Sequence, residues 1–281
     1  MAHSHEHGRD QAHGHGHGHG GGGQAEILDL DAEVLAEHTA SIIEWLPLTT
    51  SPRQIVDLGC GTGTGTFALL ARFPDAHVTA VDSSSEHLQR LRQKAVDSGL
   101  TERIHVVEAD LDANWPDLGK PDLVWASASL HHMADPVRTL QQVYDVLAPG
   151  GLFAVVELAG FPRFLPDDDL ERRLHEASDR RTAEHMPHRG ADWGALLTAA
   201  GFQLEGERTL DVDIKPTNSE LVGRYALTGL RRLRDSVTDD LPAEDLAALD
   251  QLLDPSSPLS ILRRDDLAVR TERTIWAALR S

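Results

Sequence analysis

Gln54-Ile55-Val56-Asp57-Leu58-Gly59-Cys60-Gly61-Thr62-Gly63 decides how this chain folds, because it joins a strand to a tight glycine turn. Ile55 and Val56 are β-branched and apolar, as a strand buried in a parallel sheet should be. Asp57 sets a carboxylate toward the carboxyl end of that strand, where open α/β sheets bind ligands. Gly59, Gly61 and Gly63 permit a left-handed backbone and close approach of a ligand. The segment holding Phe67, Ala68, Leu70 and Ala71 reads as a helix whose first N–H groups face the turn.

The spacing separates two kinds of cofactor. A dinucleotide fingerprint requires G-x-G-x-x-G, but Thr64 stands three residues after Gly61, and the pattern is D-x-G-x-G-x-G. A second acid, Asp82, ends the next strand (Val78–Asp82), about twenty residues on, where a carboxylate can take both hydroxyls of a ribose. No Lys or Arg lies between Gly59 and Ala71 to meet a pyrophosphate. A cofactor with ribose and no phosphate fits, and S-adenosylmethionine is one.

Val56–Gly63 with its downstream strand-end acid resembles the class I S-adenosylmethionine-dependent methyltransferases, closely over residues 25–158 and more loosely beyond. The resemblance implies an α/β, Rossmann-like sheet of seven strands with helices on both faces. It implies that Gly59, Gly61 and Gly63 surround the amino-acid end of the cofactor and that Asp57 holds its ammonium, directly or through water. Asp82 matches the ribose acceptor, and Ser83 beside it either assists or caps the next helix. Asp110-Leu111 matches the adenine contact, a carboxylate followed by a backbone N–H. Asp57, Asp82 and Asp110 share a register, each expected to end a strand. Ser127 joins the cofactor-binding set from the fourth strand.

Composition narrows the partners. The 281 residues carry a net charge of −19, and no Lys/Arg cluster is long enough to bind phosphates in a row. Nucleic acid and anionic membrane are therefore poor partners, and a small-molecule methyl acceptor is expected. Arg231-Arg232-Leu233-Arg234 reads as one solvated helix face. Cys60 is the only cysteine, so no intramolecular disulfide can form. No apolar stretch reaches membrane-spanning length and no apolar signal core stands at the N-terminus, so a cytoplasmic protein is expected.

Residues 1–24 are low in complexity and read as a disordered His/Gly-rich tail. His3, His5, His7, His13, His15, His17 and His19 there could gather around a divalent ion; no catalytic metal is expected. One domain, 25–281, follows, with its core at about 53–158. A helix is expected over 26–46, then alternating strands and helices: strands Ile104–Leu111, Leu123–Ser129 and Leu152–Glu157, and a helix from Pro136 to Leu147. A sixth strand (Phe202–Ile214) and a seventh (Thr271–Leu279) finish the sheet. Helical insertions are expected at about 159–190, which can cap the site, and at about 215–268, which either caps it or packs outside.

Ser127-Ala128-Ser129-Leu130-His131-His132-Met133 comes after the fourth strand, beside the methyl group the resemblance implies. His131 could take a proton from a hydroxyl or amine nucleophile, or serve in packing alone. His185 and His188 are weaker candidates, and Glu157 either lines the pocket or caps the segment after its strand. Two other functions fit the same features: a nucleoside-binding module without catalysis, and a metal-handling protein acting through its tail.

Overall fold

A computed structural model describes residues 21–166, 168–215 and 219–281. The tail histidines His3, His5, His7, His13, His15, His17 and His19 lie outside the described residues.

Strand β1 (Gln54–Leu58) pairs in parallel with β2 (His77–Asp82) on one side and β4 (Leu123–Ser127) on the other. β3 (Ile104–Glu108) continues beyond β2, and β5 (Leu152–Leu158) beyond β4, both parallel. β7 (Val269–Leu279) runs antiparallel to β5, and β6 (Gln203–Ile214) pairs antiparallel with β7 at the edge. The seven-stranded order is β3-β2-β1-β4-β5-β7-β6. Order reverses between β1 and β4, the point at which such sheets bind ligands beyond their carboxyl ends. The expected α/β fold is the one observed.

Alternation along the strands builds a core on each face. Ile55 and Trp125 pack on one side with Ile42, Ile43, Leu69 and Leu88. Val56, Leu58 and Val124 pack on the other with Leu140, Val143 and Trp193. The helices between strands are α3 (Thr64–Arg72), α4 (Ser85–Asp97), α5 (Pro136–Val146) and, before β6, α7 (Trp193–Ala199). Their starts are written in sequence: Asp135 caps α5 through the Arg138 N–H with Pro136 at its first position, and Asp192 caps α7.

The insertions form a third core of their own. α6 (Asp169–His185), α8 (Glu220–Ser236) and α9 (Ala243–Leu253) bring Leu174, Tyr225, Leu230 and Leu249 together with Phe164, Leu165 and Ile261. Leu30 of α1 (Gly21–Val34) completes that cluster.

Several boundaries differ from the sequence reading, β7 beginning at Val269 rather than Thr271 among them. Helix begins at Gly21, inside the segment expected to be disordered to residue 24. The single helix expected over 26–46 is two, α1 and α2 (Ala36–Trp45), which bend at buried Leu35 because α1 packs on the cap core and α2 on the sheet core. β3 stops at Glu108 rather than Leu111, so Asp110 stands two residues past its strand, while Asp57 lies within β1. β4 stops at Ser127, because Ala128 turns left-handed at φ 51°.

Candidate functional site

The glycine turn after β1 is pinned from three directions. The Cys60 N–H donates to the Val81 carbonyl at 2.9 Å, and the Gly61 N–H donates to Asp82 Oδ2 at 2.8 Å. Gly59 adopts φ 65°, and a Cβ there would stand 2.4 Å from the Cβ of Ser129. Gly63, at φ 98°, precedes α3 without a side-chain cap, so the helix presents its first N–H groups to the turn.

Asp82 takes the Ser84 N–H on its other oxygen at 2.8 Å, and the His87 ring stands 3.4 Å away. Burial pushes its carboxyl up, but His87 and the two N–H donors outweigh that and hold it below the usual range. It is therefore an anion, with lone pairs left for two further hydroxyl donors. That donor set and the uncapped start of α3 fit a cofactor carrying a ribose diol and a carboxylate.

Asp57 is different in character. It is 2% exposed and accepts the Thr66 hydroxyl at 2.7 Å. Burial pushes its carboxyl up to about 7, the Asp82 charge adds to this, and the Thr66 hydroxyl opposes it. Gly65 gives this carboxylate and the Trp125 indole their room.

Across the switch point, Ser129 Oγ donates to the Leu58 carbonyl at 2.9 Å, so the loop after β4 touches the glycine turn. A 3-10 turn, Leu130–His132, comes next. Glu157 of β5 is buried and accepts the Leu130 N–H at 3.0 Å, and its other oxygen lies 2.5 Å from His131 Nδ1. His131 is itself buried, and its ring centre is 4.2 Å from that of His132.

Helix α1 straps the two sides together. Asp29 accepts the Thr62 hydroxyl at 2.6 Å, Lys94 Nζ at 2.5 Å and Arg90 at 3.2 Å. Two residues on, Asp31 accepts the Tyr225 hydroxyl at 2.6 Å and Arg273 at 2.9 Å. Leu28 lies 3.2 Å from where a Gly61 Cβ would be.

The structure thus gathers Asp57, Gly59, Gly61, Gly63 and Asp82 at one turn, and Ser127, His131 and Glu157 beside it. Ser83 is exposed and caps nothing; the cap of α4 is Ser84, whose hydroxyl accepts the His87 N–H at 3.3 Å. Asp110 is exposed and accepts the Asp112 N–H at 3.0 Å, while Leu111 is buried. His185 is exposed, with Nδ1 against the Arg181 carbonyl, and Phe164 and Leu165 are consumed by the cap core. Sequence reasoning missed Gly65, Asp29 and Trp125. For Asp29 the available signal was an acid next to Leu28 on the first helix, and it resembles any solvated acid.

Comparison with known proteins agrees with this geometry. Residues 55–151 match the family described as a methyltransferase domain. The chain is 32% identical over 211 residues to a trans-aconitate 2-methyltransferase of Acidovorax sp. (strain JS42), covering 71% of this chain and 78% of that protein. This chain belongs to the S-adenosylmethionine-dependent class I methyltransferases. A trans-aconitate 2-methyltransferase of Methylobacterium radiotolerans is 29% identical over 228 residues, covering 78% of this methyltransferase and 84% of the relative.

Solved structures share the fold. Haemonchus contortus phosphoethanolamine N-methyltransferase 2, in complex with phosphomonomethylethanolamine and S-adenosylhomocysteine, superposes with a TM-score of 0.52 at 13% identity, over 91% of this methyltransferase and 57% of that chain. The YcgJ protein of Bacillus subtilis does so at 0.53 and 15%, over 86% and 98%. As a member of that family the methyltransferase uses S-adenosylmethionine as its cofactor. Among the described residues no group of three or more His, Cys, Asp or Glu is placed to hold a metal ion, and no helix is long and apolar enough to cross a membrane.

Proposed function

We propose that this methyltransferase transfers a methyl group to an oxygen or nitrogen of a small-molecule acceptor, with His131 receiving the proton and Glu157 aligning it. The observation that carries this reading is the contact between the two halves of the site. Ser129 bonds to Leu58 at the glycine turn, and two residues later His131 is fixed on Glu157. In the neutral ring, Nδ1–H donates to Glu157 and Nε2 keeps the lone pair that accepts a proton.

The cofactor supplies a methyl group already activated on a sulfonium. Asp82 would hold its ribose hydroxyls, Asp57 its ammonium and the first N–H groups of α3 its carboxylate, with Asp110-Leu111 beside the adenine and Ser127 lining the same cleft. Where the acceptor is a hydroxyl or an amine, the proton that it loses on methylation would pass to His131; an ionised carboxylate acceptor would carry none, and His131 with Glu157 would then only position it. Buried Glu157 and the α1 strap hold these groups in line and keep water out. A net charge of −19 favours a small acceptor over nucleic acid, as does the trans-aconitate for which the relatives are named. One cysteine and the lack of a membrane span among the described helices fit a cytoplasmic setting.

Two variants separate the roles. His131→Ala should lower kcat by about 10²–10⁴-fold and leave cofactor affinity unchanged. Asp82→Ala should weaken cofactor binding by about 1.5–3 kcal/mol for each charge-assisted hydrogen bond lost. Calorimetry with S-adenosylmethionine and single-turnover rates would check both. Full turnover in the His131 variant would return that residue to packing.

A further inference from the structure

Most guanidinium groups on the cap helices have carboxylate partners. Arg172 meets Asp169 and Glu176, Arg173 grips Asp245 with two hydrogen bonds, and Arg234 meets Asp250. Arg189, between α6 and α7, does not. Its guanidinium carbon stacks 4.2 Å from the centre of the Phe161 ring, four residues beyond Glu157. Nη1 reaches only the Thr182 hydroxyl, at 3.5 Å, and Nη2 is buried without a hydrogen-bond partner among the described residues.

A buried N–H of a charged group is costly to leave unmet. Charges of both signs surround this one. The charges of Asp179 and, less strongly, Glu157 act on Arg189 without a hydrogen bond to either, and the charges of Arg189 and of Arg232 on α8 both act on His132. A protein of net charge −19 thus keeps a free cationic edge beside the His131–Glu157 pair.

We propose that Arg189 binds a carboxylate of the methyl acceptor, which makes small carboxylic acids the substrate class of this site. This assignment rests on methyl transfer taking place at His131. A planar guanidinium held flat on an aromatic ring offers one in-plane edge, which suits a planar carboxylate. A phosphate dianion would call for more donors than Arg189 and the Phe161 stack provide.

The test uses the full chain, S-adenosylmethionine and a panel of mono-, di- and tricarboxylic acids including trans-aconitate and citrate, with their amides and with phosphomonoesters. Formation of S-adenosylhomocysteine is followed, and acid binding to the S-adenosylhomocysteine complex is measured by calorimetry. At least one acid should be methylated while its amide is not. Arg189→Gln should raise KM for that acid about tenfold or more, the loss of one charge-assisted pair, with kcat nearly kept and cofactor affinity unchanged. Arg189→Lys should recover part of the loss, and Arg180→Gln, exposed on α6, should change neither constant. An unchanged KM in Arg189→Gln, amides or phosphomonoesters used as well as acids, or cofactor binding with no acid bound would overturn the Arg189 assignment and leave methyl transfer standing. Failure to bind S-adenosylmethionine would overturn both.

Discussion

Gly65 lies so close against Trp125 that a Cβ on it would stand 2.6 Å from the indole Nε1 and 2.9 Å from Cδ1, with Asp57 Oδ2 at 3.1 Å. Trp125 is 1% exposed and sits in the middle of the sheet, so it has nowhere to retreat. In an open helix, Gly→Ala is favourable by about 1 kcal/mol. Here overlap should reverse the sign, and Gly65→Ala should cost about 1–3 kcal/mol, read from the denaturant midpoint. A midpoint equal to or above wild type would show that the indole gives way.

Asp57, raised to about 7, keeps its proton in the native state over a pH range where the unfolded chain has lost it. Between the ordinary carboxylate value and about 7 the native state therefore binds more protons, and stability falls as pH rises. Asp57→Asn removes that penalty. The cofactor-free variant should melt higher than wild type at pH 8, by about 2–4 °C per kcal/mol gained, with the difference vanishing near pH 4.

The same substitution should weaken cofactor binding, because an ammonium needs the carboxylate. Wild-type affinity should rise with pH up to about 7, with proton release that calorimetry in two buffers at pH 6 would register. No proton release would break the proposed link between Asp57 and the ammonium.

Asp29 behaves in the opposite sense. Burial raises its carboxyl, but Lys94, Thr62 and Arg90 outweigh burial and hold it below the ordinary value. Its contribution is present above the unfolded value and is lost as pH falls through the lower native one. Being about a third exposed, it adds little to global stability, and its effect should show locally. Asp29→Ala should speed S-adenosylhomocysteine release a few-fold, about one hydrogen bond's worth, in a stopped-flow displacement experiment. An unchanged off-rate would mean α1 does not hold the turn shut.

The parts legible in sequence were those fixed by local pattern. Asp82 could be placed at the end of β2 because the apolar run before it stops there, and the three glycines in a tight turn because that turn needs a left-handed backbone. The cap of α4 could not be chosen among Ser83, Ser84 and Ser85, since one degree of freedom, where the helix begins, decides it. Asp110 matched a pattern that assumed a longer β3, and no residue-level signal marks where pairing with β2 ends. Gly65 owes its identity to Trp125, some sixty residues away and joined only by the register of β1 with β4. Arg189 lies past the helical stretch of its insertion, where no periodicity applies, and acquires its neighbours through the fold alone.

The contacts of α1 also set an order of events as the chain folds. Asp31 meets Arg273 across 242 residues and Tyr225 across 194, whereas Asp29 meets Thr62 across 33. Closing loops of such length is slow and gains nothing until the far partners are in place. The helix synthesised early among these elements thus docks completely only after β7 has entered the sheet. In refolding, strand formation should precede the capacity to retain cofactor, and the delay between them measures the time needed to fasten α1.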